Sequence, residues 1–578
     1  MSRGSIKVNT KNIFPIIKKW LYSDKDIFLR ELVVNGCDAI SKLKKLSAAG
    51  EAEFSETPRI DIVCDREAKT ITITDNGIGM TEEEVKKYIN QIAFSSAEEF
   101  LEKYKDQDEQ SRIIGHFGLG FYSAFMVADS VELETKSYTG EPAVLWRCDG
   151  GTEYTMKESN KTDRGTKITL HISEAESDFL LKEKLRSILL KYCGFLPYEI
   201  YLNDEEKCVN DISPLWAKSP SDCADDEYKE FYHRVFSDFN DPLFWIHLNV
   251  EYPFNLKGIL YFPKLTHDFE SAQGKIKLYN NQVYVADNIK EIIPEFLMLL
   301  KGVLDCPDIP LNVSRSALQN DEIVAKIAAH ITKKVADRLL SMHKSDKESF
   351  DGYWADIAPF IEYGCLSDEK FYEKLKGIMQ AKTTDGEYVS LVEFAGKNEK
   401  QILYATSETQ QAQYIKMIKE EGKTALIFPH LIDIHFISFL EMKEQWKFTR
   451  IDTVPEQTSD DEELIGIFKK ALGKDDLKIT TSPLKTPLPA LIVQEEHIRR
   501  MSDISRMFSS SKLPEGHTLV LNSESKVIKG LSALPEDKRD IICRQVYDLA
   551  RISNSSLSGE EMTDFIERTA SLLENLAI

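Results

Sequence analysis

The stretch "RIDIVCDREAKTITITDNGIGM", Arg59 to Met80, restricts the fold more than any other part of this chain. Apolar and polar residues alternate on both sides of a short polar break, with Ile60, Ile62 and Cys64 on one limb and Ile71 and Ile73 on the other. Period-two alternation puts those side chains on one face, which predicts a β-hairpin buried on one side. The second limb then stops at Asp75-Asn76-Gly77, turn chemistry, with Gly79 two residues on. A carboxylate, an amide and a Gly-x-Gly stand at the mouth of a strand. No G-x-x-x-x-G-K-[ST] follows, so this is not a Walker-type phosphate loop.

Upstream lies "SDKDIFLRELVVNGCDAISKL", helical in period. Glu31, Asn35, Asp38 and Lys42 fall at i, i+4, i+7 and i+11 on one stripe, and Leu29, Val33, Gly36 and Ile40 on another. Both flanks are rich in Leu, Val and Ile, so the polar stripe is expected to be buried, and buried carboxylates need a polar occupant. Magnesium with a nucleotide fits, because Mg²⁺ takes oxygen ligands from one or two side chains and from phosphates. Downstream, "GHFGLGF" places Gly115, Gly118 and Gly120 before a helical "YSAFMVAD". Its G-x-x-G-x-G order reverses the dinucleotide fingerprint and does not follow a strand, but glycines opening a helix offer bare N–H groups to an anion. The polar segment between, Ala93 to Ser111, is expected to be a lid over the ligand.

At 578 residues the chain is too long for a single core. The order of helices, hairpin, helices and further strands "SVELETKS" and "GTKITLHI" predicts an α+β architecture. Its first part is an α/β sandwich with a mostly antiparallel sheet. The pattern breaks near Ile212 and again at the acidic "PEQTSDDEE", giving three expected domains at 1–212, 213–457 and 458–578. The second is α/β and the third mainly helical. The third ends in two amphipathic helices, one carrying Ile542, Val546 and Leu549, the other Met562, Phe565, Ile566, Leu573 and Leu576. Ser558 and Glu561 form a capping box for the last helix.

Net charge is −22, from 73 Lys+Arg against 95 Asp+Glu. Such a surface repels nucleic acid and suits a chain that meets other proteins. The 9 cysteines include no C-x-x-C pair, which argues against a zinc site or a disulfide framework and for a reducing compartment. No apolar run has membrane-spanning length and no signal-peptide core opens the chain, so a cytoplasmic protein is expected.

Four motifs in order, R-E-L-x-x-N-x-x-D-A, D-N-G-I-G-M, G-x-F-G-x-G-F-Y-S and R-G-T-x-I-T-L-H, resemble those of the Bergerat-fold ATPases. Among these the chain is most similar to the heat-shock protein 90 chaperones of bacterial type, nearly end to end. The resemblance implies an ATP-dependent homodimeric clamp on unfolded or partly folded client proteins, joined through its C-terminal domain, with ATP and Mg²⁺ as cofactors. It implies Glu31 as the general base that orients water, Asn35 as the Mg²⁺ ligand and Asp38 as a polar wall. Asp75 would accept a hydrogen bond from the adenine amine. Gly79 would let the backbone approach the ring, Met80 would pack on it, and Thr166 would support Asp75 through water. Gly118, Gly120 and Phe121 would give backbone contacts to phosphate. In "DIPLNVSRSALQ", Arg315 would reach the γ-phosphate, with Asn312 and Gln319 holding its loop.

Some residues depart from the family pattern. Val34, Gly36 and Cys37 stand where serine, alanine and serine are usual, Phe94-Ser95-Ser96 where Lys-Ser-Gly is usual, and Tyr88 where an asparagine is usual. The lack of a long charged linker after the first domain, and the ending "ENLAI" in place of an acidic tail, point to a bacterial-type protein. A DNA-handling ATPase of the same superfamily, gyrase-like or mismatch-repair-like, would need a basic surface that a charge of −22 does not offer. A sensor kinase would carry its ATP motifs last, whereas here they come first. In the third domain "EEHIRRMSDISRMF" aligns Ile498, Met501, Ile504 and Phe508, an adaptable stripe suited to core or to client contact.

Overall fold

The computed structural model describes residues 24–92, 94, 114–115, 118–151, 153–264, 275–288, 292–309, 311, 322–453, 458–494, 517–552 and 557–577. They divide into two compact units, Met1–Val335 and Ala336–Ile578.

In the first unit the expected hairpin forms from β1 (Arg59–Asp65) and β2 (Thr70–Asp75), with Ile62 opposite Ile73 and Ile60 opposite Asp75. Its turn closes because Asp65 Oδ1 accepts the backbone N–H groups of Glu67 and Ala68, each at 2.9 Å. Ile60, Ile62, Ile71 and Ile73 are buried, while Val63 on the opposite face is exposed.

β3 (Ala128–Lys136), β4 (Val144–Cys148), β5 (Tyr154–Glu158), β6 (Gly165–Ile172) and β7 (Glu199–Leu202) complete a seven-stranded sheet in the order β5-β4-β3-β6-β2-β1-β7. Only the β1–β7 pair is parallel. Two helices cover the apolar face, α1 (Ile27–Ala48) and α2 (Lys182–Cys193). From α1, Phe28, Leu29, Leu32, Val33, Cys37 and Ile40 enter the core. That core continues across residue 212, where Phe195 meets Trp216 (ring centres 4.5 Å apart) and Trp216 meets Tyr279 (5.2 Å). There it joins α3 (Asp225–Phe236) and a second sheet of β8 (Phe244–Val250), β9 (Leu256–Phe262), β10 (Ile276–Asn280), β11 (Val283–Asp287) and β12 (Lys301–Asp305), ordered β11-β10-β12-β9-β8. α4 (Glu322–Ser345) follows and buries Ile327 and Ile331.

The second unit contains α5 (Lys347–Ser367), a five-stranded mixed sheet and α6 (Asp433–Glu444), which packs on α5. Then come α7 (Glu462–Leu472), a three-stranded sheet whose strands are Lys478–Ser482, His517–Asn522 and Ala490–Gln494 in spatial order, and α8 (Glu536–Ile552) and α9 (Gly559–Ala577). The capping box of α9 forms as expected, Ser558 N–H donating to Glu561 Oε2 and Glu561 N–H to Ser558 Oγ.

Candidate functional site

The two carboxylates of α1's polar stripe are buried and already engaged. Glu31 and Asp38 are each 7% exposed and Asn35 is half-buried. Arg30, itself 1% exposed, donates from Nε (2.9 Å) and Nη2 (2.7 Å) to the same Glu31 oxygen, Oε1. This charge-assisted pair fixes the carboxylate with Oε2 turned to Gly120, where an added Cβ would lie 2.6 Å away. Asp38, expected only as a wall, accepts the backbone N–H of Ile114 on Oδ1 (2.8 Å) and of Gly115 on Oδ2 (2.7 Å). It thereby anchors the start of the glycine segment to the helix. Beside it, burial holds the Lys42 ammonium below its usual pKa, against the pull of Asp38 and Glu84.

At the strand mouth, Asp75 lies opposite Ile60 on one side and Thr166 on the other. Burial pushes its carboxyl up to about 7, although the Gly77 N–H donates to Oδ1 at 2.9 Å. The loop beyond is tied to α1 by the Ile78 N–H donating to the Ala39 carbonyl at 3.1 Å. Gly79 has φ +66° and passes so close to β3 that a Cβ would lie 1.8 Å from the Lys136 carbonyl oxygen. Only glycine fits there. Met80 N–H donates to Thr135 Oγ1 (2.9 Å), which in turn lies 3.0 Å from Thr166 Oγ1. Thr135 therefore links Thr166, Asp75's strand partner, to the backbone at Met80.

The glycine segment closes the third side. Gly118, at φ +63°, rests on the backbone of Phe94, whose carbonyl oxygen would stand 2.5 Å from an added Cβ. Gly120–Met126 forms a 3-10 turn rather than the α-helix that "YSAFMVAD" suggests. Ser123 Oγ donates to the Gly120 carbonyl at 2.6 Å, local competition that disfavours α-helical bonding, and Ala128 already begins β3. Phe121 packs edge-on against Trp146 with ring centres 5.6 Å apart.

Glu31, Asn35, Asp38, Asp75, Gly79, Met80, Gly118, Gly120, Phe121 and Thr166 thus converge between α1, the mouth of β2 and the glycine segment. Arg315, Asn312 and Gln319 lie outside the described residues, as do the Ile498–Phe508 stripe and the proposed lid apart from Phe94. Thr135 escapes a reading by pattern, and Arg30, although it opens the R-E-L-x-x-N-x-x-D-A motif, is given no role by it. Arg30 occupies a position next to the polar stripe with no period of its own, and Thr135 is one hydroxyl in a strand that alternates normally.

A buried carboxylate at a strand mouth, a second carboxylate gripped by an arginine and a segment of glycines are thus brought together. Residues 24–172 match the family model described as the histidine kinase-, DNA gyrase B- and HSP90-like ATPase, which leaves chaperone, gyrase and kinase open. Residues 203–576 match the model of the Hsp90 protein, which decides among them. The chain belongs to the heat-shock protein 90 family. It is an ATPase and a molecular chaperone of that family. "Chaperone protein HtpG" of Porphyromonas gingivalis strain W83 is 46% identical over 574 residues, 91% of this chain and 84% of the relative. The protein of the same name from Bacteroides fragilis strain YCH46 is 44% identical, covering 92% and 85%. That from Fusobacterium nucleatum is 32% identical, covering 99% and 96%.

Proposed function

We propose that this chaperone works as a homodimeric clamp that closes on unfolded client proteins as ATP is bound and hydrolysed. The observation that carries the reading is the meeting of Asp75 with Glu31, Asn35 and Asp38 between two glycine turns. Asp75 takes the adenine amine, with Gly79 and Met80 beside the ring and Thr166 steadying the carboxylate. Gly118, Gly120 and Phe121 offer backbone to phosphate. Glu31, aligned by Arg30, takes a proton from the attacking water.

Mg²⁺ fits this site as a companion of the nucleotide. Among the described residues no cluster of three His, Cys, Asp or Glu forms a cage. Both Asp38 oxygens and one Glu31 oxygen are already bonded. Asn35 supplies the amide oxygen, and Mg²⁺ when bound neutralises phosphate charge. Arg315, steadied by Asn312 and Gln319, completes the site from the second domain, on the strength of its motif in this family. The working domains are 1–212, 213–457 and 458–578.

Dimerisation through the C-terminal helices is supported by how α8 and α9 meet. Their contact carries polar links: Arg551 forks onto Glu561 (2.6 and 3.1 Å), Arg568 pairs with Asp548, and Gln545 Nε2 donates to Thr569 Oγ1 (2.7 Å). Ile566 and Leu573 of α9 are left 58% and 61% exposed, as a helix awaiting a second copy would be. All nine cysteines are free, in keeping with a bacterial cytoplasm, and among the described residues no helix is long and apolar enough to cross a membrane. Sedimentation of the full chain and of a chain cut at residue 457, each with and without ATP, tests the clamp. A dimer that survives the cut would overturn the C-terminal assignment.

A further inference from the structure

Two of the residues that depart from the family pattern, Tyr88 and Phe94, stack on each other, with ring centres 6.1 Å apart and planes inclined by 13°. The Lys87 ammonium stands 5.2 Å from one ring centre and 5.5 Å from the other. The geometry has a local cause. Val85–Ile89 is a π-turn, closed by Asn90 N–H donating to the Val85 carbonyl at 3.3 Å. Its wider turn sets Lys87 and Tyr88 side by side toward Phe94. Such single π-turns are uncommon and gather at functional sites.

Each end of this turn is fixed to the site. The Thr81–Glu84 capping box begins it immediately after Met80. At its other end, Tyr122 O–H donates to the Ile89 carbonyl, and Trp146 Nε1–H donates to Asn90 Oδ1 (2.9 Å) while its ring packs on Phe121. Phe94 in turn lies backbone to backbone with Gly118, and Gly120 lies against Glu31. One connected path runs from the stack through Phe94 and the glycine segment to the carboxylate.

We propose that Lys87, Tyr88 and Phe94 are positioning residues for ATP. In this chain they hold the Gly118–Phe121 backbone where it meets phosphate, in place of the asparagine and lysine usual at the positions of Tyr88 and Phe94. The proposal rests on the assignment of that backbone to phosphate. Rings that stack are rigid and lose little entropy on ordering, so they suit a support that must hold a loop still, and the ammonium strengthens the pair through the ring faces.

Steady-state ATPase of the full chain, read as separate KM and kcat, tests it. Phe94→Ala should raise the KM for ATP roughly three- to tenfold, the strength of one aromatic pair, with kcat changed less. Phe94→Tyr should restore KM to within about twofold, because it keeps the ring and the stack. Lys87→Met, which removes charge without emptying the core, should raise KM roughly two- to threefold and keeps the test decisive if Phe94→Ala folds poorly. Wild-type KM in Phe94→Ala, or in Lys87→Met, or a loss in Phe94→Ala that Phe94→Tyr does not repair, overturns the stack as a support. Gly118→Ala separates the two levels. It should weaken ATP more than any of these variants, and a wild-type KM there overturns the phosphate assignment, and the proposal with it.

Discussion

Gly120 lies so close to Glu31 that a methyl group on its Cα would stand 2.6 Å from the carboxylate Oε2 and 3.3 Å from Cβ. The glycine is there to let the carboxylate keep its place, which Arg30 fixes from the other side. Gly120→Ala should therefore act as a mutation of Glu31 without touching it. The carboxylate must turn or the segment must move, and a displacement of about 1 Å at a catalytic group is worth on the order of a hundredfold in rate. ATP should still bind within a few-fold while phosphate release falls by that factor. Wild-type turnover in Gly120→Ala would mean that Glu31 is not the base.

Asp75 predicts a pH dependence whose sign can be worked out. Burial raises its folded pKa to about 7, so the empty protein holds this proton more tightly than the unfolded chain does. Its contribution to stability is full below the unfolded value of about 3.9 and is lost as pH rises through about 7. Nucleotide reverses the preference, because the adenine amine donates and needs an ionised acceptor. Titration calorimetry should show ATP affinity falling as pH drops below 7, toward a limit of about tenfold per unit. Asp75→Asn should lose ATP binding altogether, since its N–H meets the amine's N–H, at a cost of roughly 2–3 kcal/mol or more. A folded Asp75→Asn that binds ATP normally would remove adenine from this position.

What could be read in the sequence, and what could not, divides along a physical line. Ile60, Ile62, Ile71 and Ile73 announce the hairpin because one face is wet and one dry, and the same contrast reveals the last two helices, whereas α1, whose Glu31 and Asp38 are buried as well, shows by its helical period alone. The three-stranded sheet of the C-terminal region is silent to that test. Ala490 to Val493 and Leu519 to Leu521 are buried throughout, so no period of two can show. Residue types at the site were legible, but engagements were not. Asp38 reaches backbone groups 76 and 77 positions away, and no local spacing encodes that. Nor does any spacing encode that Tyr88 and Phe94, separately odd, stack as a pair.

Arg315 tests whether ATP hydrolysis depends on the second domain. The fragment 1–212 carries every nucleotide-facing motif except this arginine, so it should bind ATP nearly as well as the full chain and hydrolyse it poorly. The missing cation is the one that would neutralise charge developing on the γ-phosphate. Arg315→Ala in the full chain should reproduce that state, with affinity within a few-fold and turnover down roughly tenfold to a hundredfold, less than the roughly 10³–10⁵ of a dedicated arginine finger. Phosphate release is measured under saturating ATP. A fragment as fast as the whole protein would show that domain docking plays no part in the chemistry.

A buried pair of acids predicts a second, independent pH effect, in the second unit. Glu362 on α5 is 3% exposed and Asp433, at the start of α6, is 1% exposed. Glu362 lies beside Asp433, and burial, reinforced by that neighbour, raises its pKa well above the usual carboxylate range. One oxygen of each, Glu362 Oε2 and Asp433 Oδ1, has no hydrogen-bond partner. The groups facing the pair are the His430 backbone N–H, donating to Asp433 Oδ2 at 2.8 Å, the His430 ring, 3.6 Å from Oδ1, and Cys365, one turn along α5 from Glu362. Because the folded pKa of Glu362 is raised, its stabilising contribution is complete below about pH 4.3, its unfolded value, and is lost as pH rises through the folded one. Glu362→Gln keeps the shape and an N–H donor toward Asp433 but has no proton to lose. Thermal unfolding followed from pH 5 to pH 9 should find the variant close to wild type at the acid end and more stable at the alkaline end. Each kcal/mol recovered should be worth roughly 2–4 °C in a unit of this size. Parallel melting curves across the whole range would show that Glu362 does not titrate there.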